Sequence, residues 1–282
     1  MRIAPAPQAR IAIMQMTSGI DPLENAATLR GAALQAAELG AVMLFAPEMA
    51  GLIDRDRVRA AKHIDAEKDS PFVVAAAQAA RDAGVWVHLG SLPVLDEAEG
   101  KWRNRSLVID SAGHIAARYD KIHLFDIDLP NGTSWRESAA YAPGAEAVVA
   151  NTPLGLMGLA ICYDLRFDAL FDALALAGAR VIVVPSAFTV PTGQAHWHTL
   201  LRARAIDHGC FVIAAAQCGT HADGRQTYGH SLVVDPWGTI LFDAGEENGV
   251  SMVDIDLEQI DEVRARLPIL QHRRPFASPK TV

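Results

Sequence analysis

Cys162 stands where the apolar run LGLMGLAI gives way to CYDLRFDALFDALALAG. The first segment reads as a strand, and the second as a helix closed by Gly178. A side chain at that junction sits at a sheet edge, on a sharp turn, beside the free N–H groups of a helix start. A helix N-terminus lowers a thiol's pKa, and the thiolate is the nucleophile. The same N–H groups can hold an oxyanion. A buried, inert cysteine is the competing reading of this position. Cys210 opens another apolar strand and Cys218 follows it, just before Gly219; both read as packing residues.

A nucleophilic cysteine needs a base, most often histidine. None of the ten histidines carries a local signature. His196 and His198, two apart in AHWHTLLRAR, face different sides of a helix. No cysteine or carboxylate lies at ligand spacing from them, so no metal is expected. Glu48 follows Ala46-Pro47 at the end of the apolar run 41–46, again at a sheet edge. Taken alone it is a solvated loop acid or a base, and Lys121 in YDKIHLFD is a surface charge.

The elements that must position these residues follow from the punctuation of the chain. Residues 9–15 form a first apolar strand. Asp21-Pro22 supplies an N-cap and a proline at the first helical position, and Gly40 ends that helix. Ser70-Pro71 repeats the start signal, Gly84 the stop, and a strand follows at 85–89. Two strands flank Ser111-Ala112-Gly113. Residues 120–146, with Pro130, Gly132, Pro143 and Gly144, are weakly patterned and long enough to be functional. Further strands are expected at 181–184, 211–216 and 250–255, a helix at 194–208, a hairpin turning at Pro236-Trp237-Gly238, and a last helix before Pro268. Strands alternating with helices predict an α/β architecture, and purely apolar strands predict sheets covered on both faces. No linker or repeat interrupts the chain, so one domain is expected over 1–282, with a core at about 9–276.

Composition narrows the function. Of 282 residues 50% are hydrophobic and 21% charged, the profile of a globular chain. A net charge of −8 argues against nucleic acid and against an anionic membrane surface. Three cysteines make no disulfide framework, and the proline-broken N-terminus is no signal peptide, so a cytoplasmic location is expected. Neither a dinucleotide fingerprint nor a phosphate loop is present, and no cofactor is expected.

Glu48 in FAPEM, Lys121 in YDKIHLFD and Cys162 in GLAICYDLRF share the order, spacing and context of the Glu-Lys-Cys triad of the nitrilase superfamily of carbon–nitrogen hydrolases. AHW, LLRARAID, AAAQCG, YGHSLVVDPWG and QHRRP extend the resemblance, which runs from ARIAIMQM to LPILQHRRPF and is to the Nit branch. It implies a four-layer α-β-β-α sandwich of two mixed sheets, and at least a homodimer. It also implies roles: Cys162 as nucleophile, Glu48 as general base and acid, and Lys121 with the Tyr163 N–H holding the oxyanion. Glu137 in SWRES matches a second glutamate of the family. Arg166 matches an arginine that binds the carboxylate of α-keto acids; an ion pair with Asp164 or Asp168 is its plainer reading. Phe188 and Thr192 match positions lining the same pocket.

Tyr163-Asp164 stands where nitrilases proper carry Trp-Glu, which favours amides over nitriles. The resemblance therefore implies hydrolysis of the terminal amide of a small α-keto acid through a thioester, with release of ammonia. Deaminated glutathione is the leading substrate. The alternatives are α-ketoglutaramate, an N-carbamoyl amino acid and, last, a non-catalytic role in partner binding. The chain departs from the branch at Gln194, at His198 and in the tail FASPKTV, all away from the triad.

Overall fold

Strand Gln8–Gln15 shows how the layers arise. Successive strand side chains point to opposite faces. Ile11 and Ile13 enter one core together with strands of the other sheet, whereas Ala12 and Met14 pack among helices. The computed structural model describes residues 7–128 and 134–281. Pro130 and Gly132 lie outside the described residues.

The first sheet has the order Gly249–Asp256, Gln8–Gln15, Met43–Phe45, Trp86–His88, Lys101–Ile109, Leu92–Asp96, and Ile115–Asp120 also pairs with Lys101–Ile109. Its centre is parallel and its flanks antiparallel. The second sheet has the order Ile240–Asp243, Leu232–Val234, Phe211–Ala214, Val181–Val183, Gly155–Leu159, Val149–Thr152, again parallel at the centre. Ile13, Phe45, Met157, Val183 and Ile213 share one core, so the two sheets pack face to face. The expected mixed sheets and layered α/β sandwich are therefore present.

Helices close the outer faces. Asp21 accepts the Leu23 N–H at 2.8 Å, and helix Pro22–Glu38 follows. Its buried stripe, Ala26, Leu29, Ala32, Ala33 and Ala36, has helical spacing and packs with Phe72, Ala76 and Ala80 of helix Pro71–Ala83. The small alanines let this pair lie close to the sheet. Leu29 is the largest side chain in its stripe, and trimming it to alanine would cost about 2–5 kcal/mol. Phe171 and Leu174 from Asp168–Leu176, with Trp197 and Leu201 from Val190–His208, cover the other sheet.

Three expectations need correction. The helix after Cys162 does not begin there: Cys162–Arg166 is a single 3-10 turn, and the α-helix starts at Asp168. The 194–208 helix begins a turn earlier, at Val190, because Pro191 suits the first turn. The weakly patterned 120–146 segment contains a paired ribbon, Asp126–Asp128 with Ser134–Arg136, and a 3-10 turn at Glu137–Ala139.

Candidate active site

Glu48 is held by the turn that leaves strand Met43–Phe45. The Ala50 N–H donates to the Ser91 carbonyl at 2.8 Å, and the Met49 N–H to Ser91 Oγ at 3.1 Å. Gly90, at φ +74°, lets the two chain segments touch: a Cβ there would lie 1.9 Å from the Pro47 oxygen. The turn thus buries a carboxylate that is only 4% exposed.

Lys121 extends from the end of strand Ile115–Asp120 and is 2% exposed. Its Nζ donates to Glu48 Oε1 at 2.8 Å and to Glu137 Oε2 at 3.0 Å. Asn104 Nδ2 bridges the same two carboxylates at 2.9 and 3.2 Å. Main-chain donors complete the cluster: the Ala187 N–H on Glu48 Oε2 at 2.9 Å, and the Phe125 N–H at 2.7 Å on the Glu137 Oε2 that also receives Lys121. Burial alone would lower the Lys121 pKa. The charges of Glu137 and Glu48 outweigh it and hold the ammonium well above its ordinary range.

Cys162 sits at φ +48°, a conformation that costs a non-glycine residue about 1–2 kcal/mol. Its N–H is fixed on the Pro185 carbonyl at 3.0 Å. Asp164 clamps the turn from below. It accepts Tyr119 Oη at 2.6 Å, the His123 main-chain N–H at 3.0 Å and the Ile161 N–H at 2.9 Å, with His123 Nδ1 at 2.7 Å. Among the described residues the Tyr163 N–H has no acceptor. The α-helix start expected to acidify the thiol is not at Cys162, which opens a 3-10 turn instead. Burial pushes the Cys162 pKa well above 9.0, the Glu48 carboxylate adds to this, and Lys121 only partly offsets it. Burial and the neighbouring carboxylate thus both favour the protonated thiol.

Glu48, Lys121, Glu137, Cys162 and Tyr163 line one cavity of about 330 Å3, and Arg166, Phe188 and Thr192 lie along its wall. Every site residue singled out from the sequence therefore meets here. Arg166 is not paired with Asp164, which is buried under the turn, nor with Asp168, which binds Arg204 at 2.6 Å. Its one polar side-chain partner among the described residues is His196 Nδ1, at 3.2 Å from Nη2. Its guanidinium carbon stands 5.7 Å from the centre of the Phe188 ring. Asn104 was not legible in the sequence, since an asparagine inside an apparent strand carries no local signal.

A cysteine, a carboxylate and an ammonium converging on a buried cavity define a carbon–nitrogen hydrolase site. The carbon-nitrogen hydrolase family model matches residues 10–265, and the chain belongs to that family. It is 39% identical to the deaminated glutathione amidase of Yersinia enterocolitica, over 96% of this chain and 94% of that one. To the human protein of the same name it is 42% identical, over 94% and 82%. Among solved structures it matches the NitFhit protein of C. elegans, with a TM-score of 0.89 and 38% identity over 96% of this chain and 66% of that one. An amidase mutant from Nesterenkonia sp. AN1, with acrylamide added to its active-site cysteine, superposes with a TM-score of 0.76 and 30% identity, over 92% and 98%. The protein is an amide-hydrolysing enzyme of the nitrilase superfamily.

Proposed function

We propose that the enzyme cleaves amides of small α-keto acids through a thioester on Cys162, with deaminated glutathione as the leading substrate. The observation that carries this reading is the cavity itself. The Glu48–Lys121–Glu137 cluster lies beside Cys162, and Arg166 lines the wall with no carboxylate partner among the described residues. The names of the relatives favour the substrate.

Glu48 takes the thiol proton as Cys162 Sγ attacks the amide carbon. The oxyanion forms against the Lys121 ammonium and the Tyr163 N–H, donors already oriented before reaction. As the C–N bond breaks, Glu48 returns the proton to the departing nitrogen. Glu48 then takes a proton from water, and hydroxide adds to the thioester. The C–S bond breaks, sulfur recovers its proton, and the free acid leaves. Glu137 holds Lys121, its Oε2 accepting from Nζ at 3.0 Å. Arg166 binds the keto acid's carboxylate, with Phe188 and Thr192 shaping the pocket around it. In deaminated glutathione the amide nitrogen belongs to cysteinylglycine, so that dipeptide departs. Ammonia leaves only from a primary amide such as α-ketoglutaramate.

The test is product analysis with deaminated glutathione, α-ketoglutaramate and an N-carbamoyl amino acid in parallel, for wild type and Cys162→Ala. The reading requires turnover of the first, lost in the variant, and a KM raised about 10- to 100-fold by Arg166→Met. Turnover of the carbamoyl compound alone would replace it. The reading extends to one domain acting as a homodimer in the cytoplasm; light scattering that returns the mass of one chain would remove the dimer. Among the described residues no helix is long and apolar enough to cross a membrane.

A further inference from the structure

Two buried donors on the cavity wall have no partner among the described residues. Trp135 Nε1 and Arg225 Nε are both shielded from solvent, and neither makes a hydrogen bond to a described residue. They come from separate elements, Trp135 from strand Ser134–Arg136 and Arg225 from the turn before Gln226–Tyr228. They nevertheless meet: the Arg225 guanidinium carbon stands 4.8 Å from the centre of the Trp135 ring. Both residues line the same cavity as Cys162.

An indole and a guanidinium can only donate, so what is missing is an acceptor. Leaving such donors buried and unpaired is costly, which favours a ligand that supplies oxygens. The local charge balance makes that ligand an anion. Arg225 Nη2 shares Asp223 Oδ2, at 3.4 Å, with Arg55, whose Nε is 3.8 Å from the same oxygen. One carboxylate thus serves two guanidiniums. Arg57, also on the cavity wall, donates to the Arg136 carbonyl and has no carboxylate among the described residues. Of the acids nearby, Asp54 is taken by both donors of Arg59, at 2.6 and 2.8 Å, and Asp128 by Arg136. Net positive charge therefore lines a cavity in a chain whose overall charge is −8.

We propose that Arg225 and Trp135 form a second anion subsite, which receives a carboxylate carried by the departing amine of the substrate. This rests on the reading above and deepens it. With Arg166 taking the keto acid's carboxylate, the preferred substrate is anionic at both ends and loses an amino acid or short peptide rather than ammonia. A planar guanidinium stacked over an indole, each with an N–H unpaired among the described residues, suits a planar carboxylate.

The experiment compares deaminated glutathione with its C-terminal amide, which differs only in that carboxylate. Turnover is measured on the wild type, Arg225→Met and Trp135→Phe. Calorimetric binding is measured on Cys162→Ala, with and without Arg225→Met. The wild type is expected to favour the acid about 10- to 100-fold in kcat/KM, and Arg225→Met to bring that ratio close to one, with Trp135→Phe intermediate. Cys162→Ala should bind the acid more tightly than the amide by a similar factor. Equal kcat/KM for acid and amide in the wild type overturns the proposal, as does an acid preference that Arg225→Met leaves intact. An acid preference in binding without wild-type turnover keeps the subsite and refutes the proposed activity instead. Absence of binding to either compound refutes the subsite.

Discussion

Replacing Glu48 by glutamine keeps the side chain's size while removing its charge and basicity. In the folded protein Oε1 receives Lys121 Nζ at 2.8 Å and Asn104 Nδ2 at 2.9 Å, and Oε2 receives the Ala187 N–H at 2.9 Å. All three neighbours donate. A glutamine has one accepting oxygen, so its NH2 must face at least one donor whichever way it turns. The chemical loss is larger than this mismatch. The same carboxylate moves the proton in thiol attack, in amine departure and in water attack, and general acid–base catalysis contributes about 10²–10⁴-fold. A fall in kcat of about 10³-fold or more is expected, or about 4 kcal/mol at 1.36 kcal/mol per decade. Stability should suffer less. Breaking an isolated buried pair costs about 3–5 kcal/mol, but Lys121 keeps Glu137, so a loss of about 1–3 kcal/mol is expected. Steady-state turnover of an α-keto acid amide, with urea denaturation of the same preparation, measures both. A folded Glu48→Gln enzyme that kept a tenth of the wild-type kcat would refute the assignment of all three proton transfers to this carboxylate.

Alkylation of Cys162 by iodoacetamide should still be accelerating at pH 9, because burial and Glu48 hold the thiol pKa above 9.0; a rate plateau below pH 8 would contradict this. Gly90→Ala should destabilise the fold by about 3 kcal/mol or more in chemical denaturation, since its Cβ would overlap the Pro47 carbonyl. An unchanged midpoint would show that the Glu48 turn is not held as described. His88 is buried with its pKa lowered to about 3 by desolvation, so from about pH 6.5 downward only the unfolded chain takes up its proton. Stability should therefore fall with decreasing pH by up to about 1.4 kcal/mol per unit, His208 and His221 acting in the same direction. Urea midpoints at pH 7 and pH 5 test this, and an equal pH dependence in His88→Gln would exclude His88 as a source.

Local chemistry was enough to mark most elements and the principal site residues. Asp21-Pro22, Ser70-Pro71, Gly40 and Gly84 set two helices because capping and left-handed backbone are properties of a few adjacent residues. Glu48, Lys121 and Cys162 stood out through the motifs around them, and Arg166 through its distance from Cys162. Periodicity alone did not choose between a doubly wound sheet and two sheets face to face, since apolar strands covered on both sides read alike in either fold. The start of the helix after Cys162 was also misplaced. Asp164 turns inward to Tyr119, His123 and the Ile161 N–H, distant or main-chain partners that hold a 3-10 turn where local propensity reads α-helix. The thiol's pKa is likewise a tertiary property: it depends on burial and on the charges of Glu48 and Lys121, 114 and 41 residues away in the chain, whose positions only the folded sheets determine. Asn104 and the Arg225–Trp135 pair belong to the same class. Each is an ordinary residue in its own segment and acquires a role only because tertiary packing buries it against a group from elsewhere.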